Sequence, residues 1–255
     1  MSNIEIKESK FIDCSLLDSK SNFVIDSKEP VKLTLLNLKE ESEINFDVKD
    51  NVLLQLSVFS DKPLKSSKIT ANVGENSKIL TYFADFSKDE INLDASINLN
   101  KPNANCEWHL ASLARGEDKK KITVNIYHNS PMTFGRLDNY GVAKDHSKLL
   151  FAGVSHIIKE SHQSASHQNA KIMVFDEGAV GTAKPVLKID ENDIEASHAA
   201  VVGKISDEHL FYLTSRGLSR EEAKSLITLG YLKPILVGFD EEIQKEIDRI
   251  IEENR

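Results

Sequence analysis

Few residues in this chain have a type and spacing that chemistry could use, and His198 is the first of them. It stands in Ile194-Glu195-Ala196-Ser197-His198-Ala199-Ala200-Val201-Val202-Gly203, where strand alternation puts Ile194, Ala196, His198, Ala200 and Val202 on one face. That face is expected to point inward, and burial there would favour the neutral imidazole, the form that ligates a metal. The competing reading is a satisfied core histidine. Glu195 and Asp193 nearby read as solvated. His156, His162 and His167 follow one another at gaps of six and five residues, which matches neither a helical face nor a zinc-finger pattern, so no metal site is assigned to them. Ser215, Asp138 and His146 could be written as a nucleophilic triad, but no G-x-S-x-G elbow accompanies them. The chain has no Gly-x-x-x-x-Gly-Lys phosphate loop, so any nucleotide hydrolysis would belong to a partner. The two cysteines, Cys14 and Cys106, are far apart and form no C-x-x-C motif; both read as buried, inert thiols. Lys119-Lys120-Lys121 and Asp240-Glu241-Glu242 read as solvated surface.

The elements that would position these residues are mostly strands. From Phe11 to about Gly203 the dominant hydrophobic period is two, as in Val31-Lys32-Leu33-Thr34-Leu35, Ile44-Asn45-Phe46-Asp47-Val48, Ile69-Thr70-Ala71-Asn72-Val73 and Ile122-Thr123-Val124-Asn125-Ile126. No helical stripe interrupts them, which excludes a doubly wound α/β fold and leaves a sandwich, a barrel or a solenoid. Short strands with small-residue corners between Lys148 and Gly203, with Pro185 as a strand's first residue, favour a parallel β-helix, although no regular repeat is visible. Alternation thus gives a mainly β region over residues 1–203, with the sandwich still open beside the β-helix, followed by a small C-terminal helical segment over 204–255.

In that segment Ser206 is a predicted N-cap, Gly217 a stop, and Ser219 with Glu222 a capping box opening a second helix that Pro234 should kink or end. Asp240 is expected to cap a third helix, whose Ile243, Ile247, Ile250 and Ile251 share one face. Leu210, Phe211 and Tyr212 cannot all face one way on a helix. Together with Leu226, Ile227, Tyr231 and Leu232 they exceed what so short a segment can bury, so part of this surface is expected to meet a partner.

Composition sets outer limits. The 255 residues carry 40 acidic and 32 basic side chains, a formal net charge of -8. That balance argues against a general nucleic-acid binder, which needs a basic footprint. Anionic membranes are disfavoured likewise. No run approaches the roughly 18 apolar residues of a spanning helix, and Met1-Ser2-Asn3-Ile4-Glu5 lacks a secretory signal, so the chain is expected in the cytosol.

Four stretches between Phe151 and Leu236 resemble the SufB/SufD family of the Suf iron-sulfur cluster assembly machinery. They are Phe151-Ala152-Gly153-Val154, the His198 segment through Ile205, Leu210-Phe211-Tyr212-Leu213-Thr214-Ser215-Arg216-Gly217-Leu218, and Glu222-Ala223 through Leu229-Gly230-Tyr231. The resemblance covers about a third of the chain. It implies a fold that is mainly β, a right-handed parallel β-helix that pairs with a second β-helical subunit, either SufB-type or identical. It also implies C-terminal helices that dock the ABC-type SufC ATPase, here through Leu210, Phe211, Tyr212, Arg216, Leu226, Ile227 and Tyr231. His198 matches the family's histidine at the assembly interface, where it would serve as a metal ligand. SufB types carry a cysteine where this chain has Ala179 and a glutamate where it has Ala199, so the sequence is closer to SufD. One histidine cannot hold a cluster that ordinarily takes four ligands, mostly thiolates. The expectation is therefore a non-catalytic subunit with no stable cofactor of its own and a transient iron-sulfur cluster in the complex. Full-length members carry an N-terminal helical region, and with strands expected from near Phe11 the expectation is a compact member without one. Two further readings remain: a sole homodimeric SufBD-type scaffold, and a β-helical polysaccharide-active enzyme working through paired carboxylates.

Overall fold

The computed structural model describes residues 2–253. Sixteen strands precede three helices. The strands are β1 (Ser2–Ile6), β2 (Lys10–Asp13), β3 (Lys20–Ile25), β4 (Val31–Leu36), β5 (Glu41–Val48), β6 (Leu53–Ser60), β7 (Ser66–Val73) and β8 (Lys78–Asp85), then β9 (Glu90–Leu99), β10 (Asn105–Ala114), β11 (Lys119–His128), β12 (Phe134–Ala143), β13 (Lys148–Ile157), β14 (Ser164–Val174), β15 (Val180–Ile189) and β16 (Ile194–Lys204). The helices are α1 (Asp207–Ser215), α2 (Arg220–Leu236) and α3 (Glu241–Glu253). Odd strands form one eight-stranded parallel sheet, sheet A, and even strands another, sheet B. The chain therefore crosses between two facing sheets at every corner, which makes a parallel β-solenoid. Strands begin at Ser2 rather than near Phe11.

Alternation decides which residues enter the core. In β9, β11 and β13 every second side chain points between the sheets and is buried, from Ile91, Leu93 and Ala95 to Ile122, Val124 and Ile126. Trp108, Phe23, Phe46, Phe83 and Phe151 fill the same space. Each large apolar side chain so buried contributes roughly 1.5–3 kcal/mol relative to exposure.

The coils are unequal. Ser2 pairs with Ser21, Lys20 with Glu43, Lys119 with Lys148, and Lys148 with Val180. One coil thus takes 19 residues at the N-terminal end and 32 near the C-terminal end, and this widening is why no period is visible in the sequence. A repeat is nevertheless present at the corners. Asn51, Asn76, Asn103, Met132 and Gln163 all have positive φ, and each stands one or two residues before an even strand. Asparagine tolerates the left-handed region because its short amide bonds locally, and Asn103 Nδ2 donates to Asn76 Oδ1 of the preceding coil at 2.9 Å. At the opposite corners carboxylates cap the backbone of the coil before them: Asp118 accepts from the Asp89 N–H, Asp145 from Gly116 and Asp176 from Asp145, at 2.7, 2.7 and 2.9 Å.

Lys120, read from sequence as solvated, is buried. Its side chain points inward from β11, where its ammonium meets Asp85 at 2.8 Å with both side chains fully enclosed. Ser112 and Ser87 hydroxyls also donate to Asp85. Burial pulls Lys120 below the ordinary lysine value, and Asp85 draws it back up. Such a pair stabilises little over an apolar replacement, yet removing one partner typically costs about 3–5 kcal/mol. Pro185 is the sixth residue of β15 rather than its first. β15 is an edge strand, where one row of N–H groups has no ladder partner and proline is tolerated.

The helices do not cap the solenoid's end. α2 lies across β8, β10 and β12 on the outer face of sheet B. There Leu232, Ile235, Leu236, Phe239 and the four isoleucines of α3 cover Phe59, Phe86, Leu113, Val142 and Phe175 in a second core. The connection after α2 is pinned by Gly238, whose carbonyl accepts from Ser57 Oγ at 2.8 Å and Gln55 Nε2 at 3.1 Å. A Cβ at Gly238 would lie 2.0 Å from the Tyr82 ring, so only glycine lets this backbone lie on it. The Ser206 N-cap and the full Ser219–Glu222 capping box form as read, and Gly217 ends α1 at φ +99°. Pro234 does not stop α2, which runs on to Leu236. Asp240 stands at the N-cap position of α3, where its carbonyl accepts the Gln244 N–H at 3.0 Å, and its carboxylate pairs with Lys32 on β4.

The corner repeat makes one outcome specific. Met132 holds φ 57° at a position that earlier coils give to asparagine, and a side chain without a local amide carries a penalty of about 1 kcal/mol there. Met132→Asn is expected to raise unfolding free energy by about 1 kcal/mol, read as a higher urea midpoint at unchanged slope.

Candidate functional site

The last coil, β15 and β16, has no strand beyond it: sheet A ends at β15 and sheet B at β16. His198 lies in this coil. Register pairs it with Gln168 and pairs Ala196 with Ser166 and Ala200 with Ala170, all inward-pointing on β14. The face read from alternation is therefore the inward one. Burial is overturned, because the coil that would cover His198 is absent, and β16 is exposed along most of its length. His198 makes no hydrogen bond to another described residue, and its imidazole stands open at the solenoid's wide end.

What lies beneath it is polar. The inward positions of β14 begin Ser164, Ser166, Gln168, all buried, where the positions in register with Ser166 and Gln168 are Gly135 and Leu137 on β12 and Cys106 and Trp108 on β10. Gln168 clasps the sheets together: its Nε2 donates across the interior to Ser155 Oγ of β13 at 2.6 Å and to the Val186 carbonyl of β15 at 3.1 Å. His128, deeper in the same end, is pushed down to about 4 by burial and is neutral. Its Nδ1 shares a 2.8 Å hydrogen bond with Thr133 Oγ1. The sequence signal for Gln168 was available, since polar residues at alternate positions of β14 break the apolar pattern, but it reads as an outward face until the register is known.

The close approach of two coils also explains one motif word. Val124 and Val154 lie on neighbouring strands, and a Cβ on Gly153 would lie 2.1 Å from the Val124 carbonyl oxygen. Asn125 Oδ1 accepts the Val154 N–H at 3.0 Å where the ladder is displaced.

The remaining candidates are dispersed. His156 meets Asp190 at 2.7 Å, and His167 shares a 2.8 Å hydrogen bond with Ser197. No group of three or more histidine, cysteine or acidic residues among the described residues is arranged to hold a metal ion. Asp138 lies beside His109 at 3.4 Å, whereas Ser215 donates to the Tyr212 carbonyl, so the written triad does not assemble. Cys14 and Cys106 are buried. Burial pushes the Cys14 thiol up to about 12 and Cys106 further, so neither is a thiolate at neutral pH. Ala179 is buried in the corner before β15.

The seven helix residues expected to meet a partner divide. Leu210 is buried, and Ile227 and Tyr231 pack on sheet B, Tyr231 edge-on to Tyr140 with ring centroids 5.8 Å apart. Ile227 and Tyr231 belong to the second core, and with the buried Leu210 they are unavailable as a surface. Phe211, Tyr212 and Leu226 are exposed, at 74%, 57% and 50%, and Arg216 lies over the Tyr212 ring at 5.3 Å. Between α2 and α3 a groove of about 210 Å³ carries Leu226, Leu229 and Ile251 beside Glu222 and Asp248. No helix among the described residues is long and apolar enough to cross a membrane.

Fold and site together define a β-solenoid with an uncovered wide end and a helical segment folded back along its flank, its candidate residues lying on surfaces rather than in an enclosed cleft. Residues 28–231 match the family described as SUF system FeS cluster assembly, SufBD core domain, and the chain belongs to that family. It is 34% identical over 141 residues to the iron-sulfur cluster assembly protein SufD of Bacillus subtilis, covering 55% of this chain and 32% of that protein. An iron-sulfur cluster assembly SufBD family protein of Staphylococcus saprophyticus is 25% identical over 76% of this chain and 48% of its own length. One from Mycobacterium tuberculosis is 30% identical over 54% of this chain and 16% of its own length. The chain thus spans less than half the length of these relatives.

One ion pair that attaches the helices to the solenoid includes a carboxylate. Lys224 of α2 binds Asp176 Oδ1 at 3.0 Å while the Asp145 N–H donates to Asp176 Oδ2. Burial raises the Asp176 carboxyl, but these two donors outweigh it and hold it below the usual aspartate value. A depressed carboxyl stabilises the folded state above its unfolded value, near 3.9, and that stability is lost as pH falls through the folded value. Asp176→Asn is therefore expected to be less stable than the parent at pH 7, with the gap closing below about pH 4. Urea midpoints across pH measure this.

Proposed function

We propose that this chain is a SufD-like, non-catalytic subunit of the SUF iron-sulfur cluster assembly machinery. It pairs through the uncovered end of its solenoid with a SufB-type subunit or a second copy. It recruits a SufC-type ATPase through the outward face of α1 and α2, and it works in the cytosol. Family membership supports the assembly role. The observation that carries the pairing is the last coil, where β15 and β16 each offer an unpaired edge and an uncovered inner face that includes Val202, 44% exposed, and His198. A long unprotected edge is a template for another strand. A cluster assembled at that junction would meet the His198 imidazole from this side and would take its remaining ligands from the partner.

The sole-scaffold alternative has less support, because both cysteines are buried as neutral thiols away from the last coil. A polysaccharide-active enzyme has less again: Asp118, Asp145 and Asp176 serve as backbone caps at the corners rather than as a facing pair across a groove.

Two measurements test the proposal. His198→Ala is expected to leave the circular dichroism and ATPase binding unchanged and to lower iron and sulfide recovered in the co-expressed complex several-fold; unchanged recovery would remove His198 from the assembly site. For the helices, deletion after Lys204 is unsuitable because it would bare Phe59, Phe86 and Phe175. Phe211→Asp with Leu226→Asp alters only exposed positions. It is expected to keep the fold and to weaken ATPase binding at least about tenfold, about 1.4 kcal/mol, by calorimetry, and full-strength binding would move the docking surface elsewhere.

A further inference from the structure

The outer face of sheet A changes sign along the solenoid. At the narrow end, outward lysines are paired, Lys20 with Glu43 at 2.7 Å and Lys65 with Glu40 at 2.8 Å. On β11, β13 and β15 the outward positions include Lys119, Lys121, Lys148, Lys184 and Lys188 and no aspartate or glutamate. All five are exposed, and none forms an ion pair among the described residues. Acidic residues resume one strand away, at Glu90 and Asp94 of β9, and at Asp190, which is engaged by His156.

This arrangement costs stability. Lys119 and Lys148 are direct register neighbours on adjacent strands, and like charges so placed repel; Glu90 on the other side of Lys119 offsets part of this. In a chain of net charge -8, complementary carboxylates were available and are absent from this face. Between the lysines runs an apolar strip, Leu150, Val154 and Val186, the last 47% exposed. Lys119, Lys121 and Lys148, together with the Glu40-paired Lys65 and a single carboxylate, Glu90, border a shallow cleft of about 460 Å³ beside Leu150.

The geometry points to the wide half of sheet A's outer face as a docking surface for an acidic polypeptide, whose carboxylates would meet the lysines while its apolar side chains lie on the Leu150–Val154–Val186 strip. The chemistry favours a polypeptide over a nucleic acid. The face has no arginine for bidentate phosphate contact, no aromatic stacking platform beyond Tyr127, and an apolar strip that a sugar-phosphate backbone would leave unmatched. A membrane is disfavoured because valines on a flat strand cannot insert as an amphipathic helix does, and the chain as a whole repels anionic lipid. The surface is the outer face of these strands, not the unpaired backbone edge of β15, so it does not rest on pairing. Because β15 is itself an edge strand, a partner strand added there would extend the same face.

The test uses the full chain and a fluorescein-labelled decapeptide of alternating glutamate and leucine, followed by anisotropy at low salt. Lys119→Gln/Lys148→Gln/Lys184→Gln is expected to weaken binding at least about tenfold. Lys28→Gln/Lys62→Gln/Lys101→Gln, exposed lysines elsewhere with the same change in net charge, is expected to stay within about twofold, and 0.5 M salt should abolish binding, as screening requires. No binding by the parent chain, or equal weakening by the two triple variants, overturns the proposal. So does lysine-dependent binding of a single-stranded oligonucleotide or of phosphatidylglycerol vesicles that matches the peptide's.

Discussion

A strand in a parallel solenoid satisfies its backbone N–H and C=O groups only through the coils on either side, so the ladder has no internal way to finish. Much of this molecule follows from that. Each coil must hold register with its neighbours, which the left-handed Asn corners on one side and the carboxylate caps on the other enforce. The end coils inherit whatever is left unpaired. In many solenoids a helix stops the far end. Here the helices instead lie along the flank of sheet B, tied by Gly238, Lys32–Asp240 and Lys224–Asp176. The wide end stays open, and His198 is exposed because of where the helices went rather than because of its own strand.

The chain advertises its periodicity plainly and its geometry poorly. Strand alternation, the change to helical spacing after Gly203, the Ser219–Glu222 box and the inward phase of His198 could all be read from residue type, because each depends on neighbours within a few positions. Lys120 could not: in Lys119-Lys120-Lys121 nothing local distinguishes the middle lysine, and its partner Asp85 is 35 residues away, on the other sheet. Leu210, Phe211 and Tyr212 were legible as a conflict but not as a solution, since only the docking of the segment decides that Leu210 turns in and the other two turn out. The exposure of His198 depends on the absence of a following coil, which no residue near it encodes. The basic face on sheet A is invisible for a related reason, as Lys119 and Lys148 become register neighbours, and Lys184 joins the same face, only through coil stacking.

Two kinds of polar interior coexist in the solenoid. Asp85 and Lys120 meet each other directly, with the Ser87 and Ser112 hydroxyls on Asp85, a closed arrangement in the middle of the stack. Ser164, Ser166 and Gln168 are neutral and sit near the open end, with Gln168 bridging from one sheet to the other. An apolar layer there would meet solvent as soon as the last coil flexed, whereas amide and hydroxyl groups tolerate both a closed and a wetted interior.

The unequal coils carry a consequence for how the chain finds its structure. In an array of identical repeats any unit can stack on any other, and slipped or swapped pairings compete with the correct one. A tapering stack has no interchangeable units: the short first coil cannot span the corners of the broad last one. The ribosome also releases the narrow end first, so assembly can grow outward by adding each coil to a slightly smaller predecessor. Taper thus supplies a direction and a built-in ruler, and deleting or duplicating one internal coil would leave its neighbours mismatched in length instead of merely making the protein shorter or longer.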